Sequence, residues 1–221
     1  MGLAIRTRLG LVVHTGDFKF DHTPVDGNPT DFTRLANLGQ EGVLLLLSDS
    51  TYVELAGYTP SEKVVGESLD QLIGQAPGRV LVATFASLIS RVQQVINAAH
   101  HHGRVVALSG RSMVDNVKMS IDMGYLVAPP GVLLPLGEAK RLSGDNVVLI
   151  TTGSQGEPTS ALVRMSNRTH RDIQVVPGDT VIISATPIPG NETMITRSID
   201  NLFRQGARVL YDRVALVHVH G

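Results

Sequence analysis

From Arg79 onward, short runs of β-branched and aliphatic residues alternate with longer stretches whose apolar positions recur at helical spacing. The runs Arg79–Thr84, Arg104–Ser109, Asn146–Thr151, Thr180–Ala185 and Ala207–Tyr211 predict strands, being rich in Val and Ile and too short for stable helices. Between the first two, Ile89, Val92, Gln93, Val95, Ile96 and Ala99 keep a helical period that ends at His100, His101 and His102 before Gly103. Ser112–Met123 and Glu192–Phe203 predict further helices, closed by Gly124 and Gly206. Strands alternating with helices specify βαβ units, so the fold class is α/β with a mainly parallel sheet.

The first sixty positions follow another pattern. Leu3–Thr7 and Leu9–His14 predict a hairpin, and Gly42–Ser48 a buried strand ending at Asp49-Ser50-Thr51. Pro60 breaks the pattern before a helix expected from Ser61 or Glu62, which places a domain boundary near Thr59–Lys63. Arg213–Val219 reads as a last strand that runs almost to Gly221, and both ends are expected to be cuts from a longer protein.

Composition narrows the class. Hydrophobic residues at 43% and charged residues at 18%, with 22 Gly and 11 Pro spread along the chain, are globular usage. A formal net charge of −1 excludes a whole-chain basic footprint, so any nucleic-acid contact must be local. The absence of cysteine excludes disulfides and thiolate metal sites and fits the cytoplasm. The apolar run Val43–Leu47 is far shorter than the ~20 residues of a membrane helix, and no signal peptide is read at the start.

The candidate chemistry sits where predicted strands end. In Val13-His14-Thr15-Gly16-Asp17-Phe18-Lys19 a glycine turn presents Asp17, and Leu47-Ser48-Asp49-Ser50-Thr51 presents Asp49 in the same way. A carboxylate there suits a cation, and it also suits the capping of a turn. Phe85–Ser87, Gly110–Ser112, Gly153–Gly156 and Thr186–Gly190 all follow strands on their carboxyl side, the edge at which open α/β sheets bind ligands. Gly110 and Gly153 let backbone approach a phosphate, the hydroxyls of Ser87, Ser112 and Ser154 donate to it, and Arg111 offers a fork to its oxygens. These three serines are therefore expected on one sheet edge. Ser112 reads equally as the N-cap of its helix, and Phe85 as a base-stacking platform or as core.

Other features carry less. Thr152–Glu157 lacks the lysine of a nucleotide-triphosphatase loop and does not match Gly-x-Gly-x-x-Gly, so no nucleotide cofactor is read. The His100–His102 run resembles a metal tract, but at a helix end it is read first as a solvated cap meeting the helix dipole. His22 and His170 have no partner at ligand spacing. Arg34, Arg164, Arg168 and Arg171 suit phosphate contacts or a soluble surface alike.

Taken in order, the segments His14–Lys19, Ser48–Thr51, Ala83–Ser87, Gly110–Met113, Thr152–Pro158 and Pro187–Glu192 resemble the ribonuclease J family over essentially the whole chain. The resemblance implies a metallo-β-lactamase superfamily nuclease with an inserted β-CASP domain. On that basis 1–62 would be a fragment of the αββα metallo-β-lactamase domain, 63–216 the β-CASP domain, and 217–221 the start of the return. It implies a zinc-dependent 5′-exonuclease and endonuclease with two zinc ions in the intact enzyme, acting on RNA in the cytoplasm, with room for a homo-oligomer and no membrane partner. Asp17 would bridge the metals and Asp49 would act catalytically. Phe85, Ser87, Gly110, Arg111, Ser112, Gly153 and Ser154 would bind substrate.

The departures bear on activity. The family's His-x-His-x-Asp-His cluster would lie before Met1, and its first β-CASP histidine after Gly221; His218 and His220 are not those ligands. Leu88-Ile89-Ser90 stands where the family usually has Asn-Ile-His. The chain alone is therefore expected to be inactive. The rival readings are a non-catalytic RNA- or protein-binding α/β module and another β-CASP nuclease, of the mRNA 3′-end processing or DNA-repair kind.

Overall fold

A computed structural model describes residues 2–51, 53–54 and 56–219, so His220 and Gly221 lie outside the described residues. The chain divides into two compact units, Met1–Lys63 with Val219–Gly221, and Val64–His218.

In the first unit, β1 (Leu3–Arg6) and β2 (Leu11–His14) form the expected antiparallel hairpin, and β3 (Val43–Leu47) pairs with β2 in parallel. Between them lies α1 (Phe32–Glu41), which was not among the expected helices. Its start is nonetheless written locally, because the Asp31 carboxylate accepts the Arg34 amide as an N-cap. None of its residues is buried, although Phe32, Leu35 and Ala36 stand at helical spacing. One expectation fails here. β3 is not a buried strand: all five of its residues are exposed, from 39% at Val43 to 61% at Leu44, with no layer over them among the described residues.

The second unit takes most of α2 (Glu62–Gln75), then β4 (Val80–Ala83), α3 (Ile89–His101), β5 (Val105–Ser109), α4 (Arg111–Asp122), the short α5 (Leu136–Ala139), β6 (Val147–Thr151), α6 (Ala161–Ser166), β7 (Thr180–Ile183), α7 (Glu192–Arg204) and β8 (Arg208–Leu210). The five strands form one sheet in the order β5-β6-β4-β7-β8, every pair parallel. From central β4 the chain moves to one side for β5 and β6 and to the other for β7 and β8. The sheet is apolar because it is covered on both faces, and β4, β6 and β7 are buried at every position. The helices supply matching stripes: Val65, Leu69 and Ile73 on α2, and Ile195, Ser198, Ile199 and Leu202 on α7.

Two further expectations are corrected. Arg213–Val219 is not a strand; Val214 and Ala215 turn back to the Tyr211 carbonyl, and the Val217 carbonyl is taken by side chains. Those side chains are Ser184, at 2.5 Å, and the fully buried Arg91, whose Nη1 donates to Val217 at 2.7 Å and also to the Ser184 hydroxyl. Nor does Ser112 cap its helix. Gly110 is the N-cap, with a φ of 104° that an L side chain seldom adopts, and Ser112 is already inside the first turn.

Candidate functional site

Because all five strands of the larger sheet are parallel, their carboxyl ends open onto one edge. Register makes those ends level, with Ala83 opposite Thr151 and Ile183, and Ser109 opposite Thr151. Pairing continues a residue beyond the strands: the Thr84 amide donates to the Thr151 carbonyl at 3.1 Å, and the Ser184 amide to the Ala83 carbonyl at 2.8 Å. The loops bearing Ser87, Ser112 and Ser154 therefore leave from the same edge, as expected.

Accessibility along that edge is uneven. Ser87, Arg111 and Ser112 are exposed, Phe85 and Gly110 are half-buried, and Gly153 and Ser154 are buried. Arg111 and Ser112 open α4, where the first backbone amides have no carbonyl partner within the helix and the dipole favours an anion. Gly110 is needed twice over, since a Cβ there would also stand 2.7 Å from Thr152 Oγ1. At Gly153 φ is 107° and a Cβ would overlap the Ser160 hydroxyl.

Two positions to which the sequence assigned no role of their own hold this edge in shape. Gln155 is buried, and its amide donates to the Thr186 carbonyl at 2.9 Å while its oxygen accepts the Ile188 amide at 2.8 Å, tying the loop after β6 to the loop after β7. His170 accepts the Asp172 and Ile173 amides at Nδ1, which leaves the proton on Nε2, 3.2 Å from the Ser109 hydroxyl at the end of β5. Burial first, then the charges of Arg164 and Lys140, push the imidazole below its ordinary range against the pull of Asp172. Neither role has a sequence signal, because both depend on contacts between separate loops.

The smaller sheet has an analogous edge. His14 pairs with Leu47, so the loops carrying Asp17 and Asp49 start side by side. The Thr15 amide donates to the Leu47 carbonyl and the Thr15 hydroxyl accepts the Asp49 amide, both at 3.0 Å. Asp17 is exposed; Asp49 is half-buried and accepts the amide and hydroxyl of Thr51, which makes it the organiser of its turn. Asp21, also unforeseen, accepts from the Ser61 hydroxyl and the Glu62 amide. Among the described residues, the group of His, Asp and Glu side chains close enough to share an ion is Asp70, His101 and His102, and it includes neither Asp17 nor Asp49.

The sequence profile of "Ribonuclease J, beta-CASP domain" matches residues 77–202. The chain belongs to the ribonuclease J family. It is similar to Ribonuclease J of Thermus thermophilus, 48% identical over 100% of this chain and 38% of the relative. It is likewise similar to Ribonuclease J of Synechocystis sp., 47% identical over 99% of this chain and 34% of the relative, and to Ribonuclease J 1 of Streptococcus pyogenes, 46% identical over 100% and 39%. The chain thus spans little more than a third of the length of these relatives. Its five-stranded parallel sheet is the β-CASP fold expected, and the rival assignment to another kind of β-CASP nuclease is set aside. The matched span holds Phe85, Ser87, Gly110, Arg111, Ser112, Gly153 and Ser154. No helix among the described residues is long and apolar enough to cross a membrane.

Proposed function

We propose that this ribonuclease J-family chain supplies the RNA-facing edge of a metal-dependent enzyme that hydrolyses RNA phosphodiesters, acting in the cytoplasm as 5′-exonuclease and endonuclease. The observation that carries the reading is the level carboxyl edge of the parallel sheet, where Arg111 and Ser112 stand exposed at the start of α4 beside glycine-built loops. A phosphate arriving there meets free helix amides, hydroxyls and a guanidinium fork, groups that hold a backbone without reading bases. Ser87 and Gly110 would extend this contact, Phe85 would offer a ring to a base, and Gly153 and Ser154 would shape the floor. The chain's net charge of −1 fits a local contact of this kind.

Residues 1–62 are taken as a metallo-β-lactamase domain fragment, 63–216 as the β-CASP domain and 217–221 as the return between them. In the intact enzyme, which could be a homo-oligomer, Asp17 would be one ligand of two zinc ions and Asp49 would serve the chemistry at the same strand edge. The residues present do not by themselves fit that metal pair. Zinc is held by several nitrogen and carboxylate donors, and the exposed Asp17 belongs to no such group among the described residues. The same observation favours the second reading, in which this chain on its own binds RNA without cutting it. Both readings are tested with 5′-monophosphorylated RNA in the presence of zinc or manganese. The isolated chain should give no turnover, while the longer protein containing it should turn over and lose activity with Asp17→Asn. Metal-dependent turnover by the isolated chain that vanishes in Asp17→Ala would overturn the account of the metal site.

A further inference from the structure

α3 leaves the carboxyl end of β4 and its last turn leads to the amino end of β5, so its carboxyl terminus lies at the end of the sheet opposite the loops just described. There the chain brings Asp70 up to a pair of histidines that begins 31 positions further on. His101 is the last residue of α3 and His102 its C-cap, while Asp70 projects from α2. Asp70 Oδ1 lies 2.8 Å from His101 Nδ1 and 3.2 Å from His102 Nε2, and all three atoms lie within 4.8 Å of one another.

These spacings suit one ion. Ligand atoms at ~2.1 Å from a metal, at tetrahedral or octahedral angles, stand roughly 3.0–3.4 Å apart. The two edges to Asp70 are close to that already, and the third is closed by rotation of His101, whose side chain is 70% exposed. His102 is better fixed, and the reason is a second, separate observation. Its ring lies against the backbone of α2 at Gly74, one turn beyond Asp70, where an added Cβ would stand 2.8 Å from Nε2 and 2.9 Å from Nδ1. Only glycine leaves a seat for that imidazole. Although partial burial acts to raise it, the Asp70 carboxyl is held below its ordinary range by hydrogen bonds from His101 and His102, so it is available as an anion.

We propose that Asp70, His101 and His102 form a surface site for a divalent transition-metal ion, zinc or a similarly borderline cation, that clamps α2 to the carboxyl end of α3. Two imidazoles and one carboxylate select such an ion over magnesium or calcium, and water completes its coordination. The site is independent of the proposed RNA-facing edge and of Asp17. The test is calorimetric titration of the metal-free 221-residue chain with zinc chloride, alongside Asp17→Asn, Asp70→Asn, Gly74→Ala and the combined Asp70→Asn/His101→Gln/His102→Gln variant. Zinc should bind the wild type and Asp17→Asn equally, and about 100-fold more weakly to the combined variant, since ligand loss exceeds the effect of disturbing a supporting residue. Gly74→Ala keeps every ligand but displaces the His102 ring, and should cost about 10-fold. These positions lie at the surface, so circular dichroism should show all variants folded. A combined variant that binds zinc as the wild type does, or a wild type with no binding beyond the combined variant's, would overturn the proposal.

Discussion

β3 and β4 are nearly interchangeable as sequences, Val-Leu-Leu-Leu-Leu and Val-Leu-Val-Ala, yet every residue of the first is exposed and every residue of the second is fully buried. Composition does not explain the contrast, and pairing does so only in part: β3 is an edge strand with β2 as its one parallel neighbour, while β4 lies between β6 and β7. Layers explain the rest. α2 and α7 offer buried stripes to the unit that holds β4, whereas α1 buries nothing. An exposed aliphatic strand of this kind marks a surface made to be covered. The relatives, of which this chain spans little more than a third, have the length to cover it.

The sharpest way to break this comparison is truncation on each side. Leu81→Ala, in the middle of β4, should destabilise the second unit by about 2–5 kcal/mol, while Leu46→Ala in β3 should stay within about 0.5 kcal/mol of wild type. Urea unfolding of the two variants decides it, and equal losses would mean that β3 is covered in solution. A smaller loss, about 1–3 kcal/mol, is expected for Arg91→Met, which leaves the Val217 carbonyl with Ser184 as its remaining side-chain donor; hydrogen exchange should quicken over 211–219. Gln155→Ala should cost about 1 kcal/mol and speed exchange of the Ile188 amide, with the sheet itself unchanged.

The smallest effect is a pH dependence. His170 is held below its unfolded value of ~6.5, so the folded state binds the proton less readily than the unfolded chain. Its contribution is complete above that value and is lost as pH falls from there toward the lower folded value. Stability should therefore drop as pH falls below ~6.5, and His170→Gln should flatten the drop. A slope unchanged by the substitution would assign it elsewhere.

Much of the larger unit was legible because its strands are short apolar runs and its long helices carry regular stripes, several of them closed by glycines such as Gly103, Gly124 and Gly206. The parallel edge followed from alternation alone, and with it the shared position of Ser87, Ser112 and Ser154. What escaped was decided by distant parts of the chain. Arg213–Val219 has strand-like residues, but Arg91 and Ser184 take a carbonyl that a sheet would need. α6 is 6 residues long, too brief for a period to show. His101 and His102 were placed correctly at a helix end, but Asp70 and Gly74 come from another helix, and no local pattern announces them. Burial of Ser154 and the bridging by Gln155 likewise depend on the packing of one loop against its neighbours.

The central claim is that RNA meets the carboxyl edge of the parallel sheet, and amide chemical-shift mapping of the chain with a short 5′-monophosphorylated RNA tests it most directly. The account predicts perturbations concentrated at Phe85–Ser87, Gly110–Ser112 and Thr152–Gln155, weakened by Arg111→Ala and by added salt. Perturbations confined to the opposite end of the sheet, around Asp70 and His102, or absent from the second unit altogether, would contradict it.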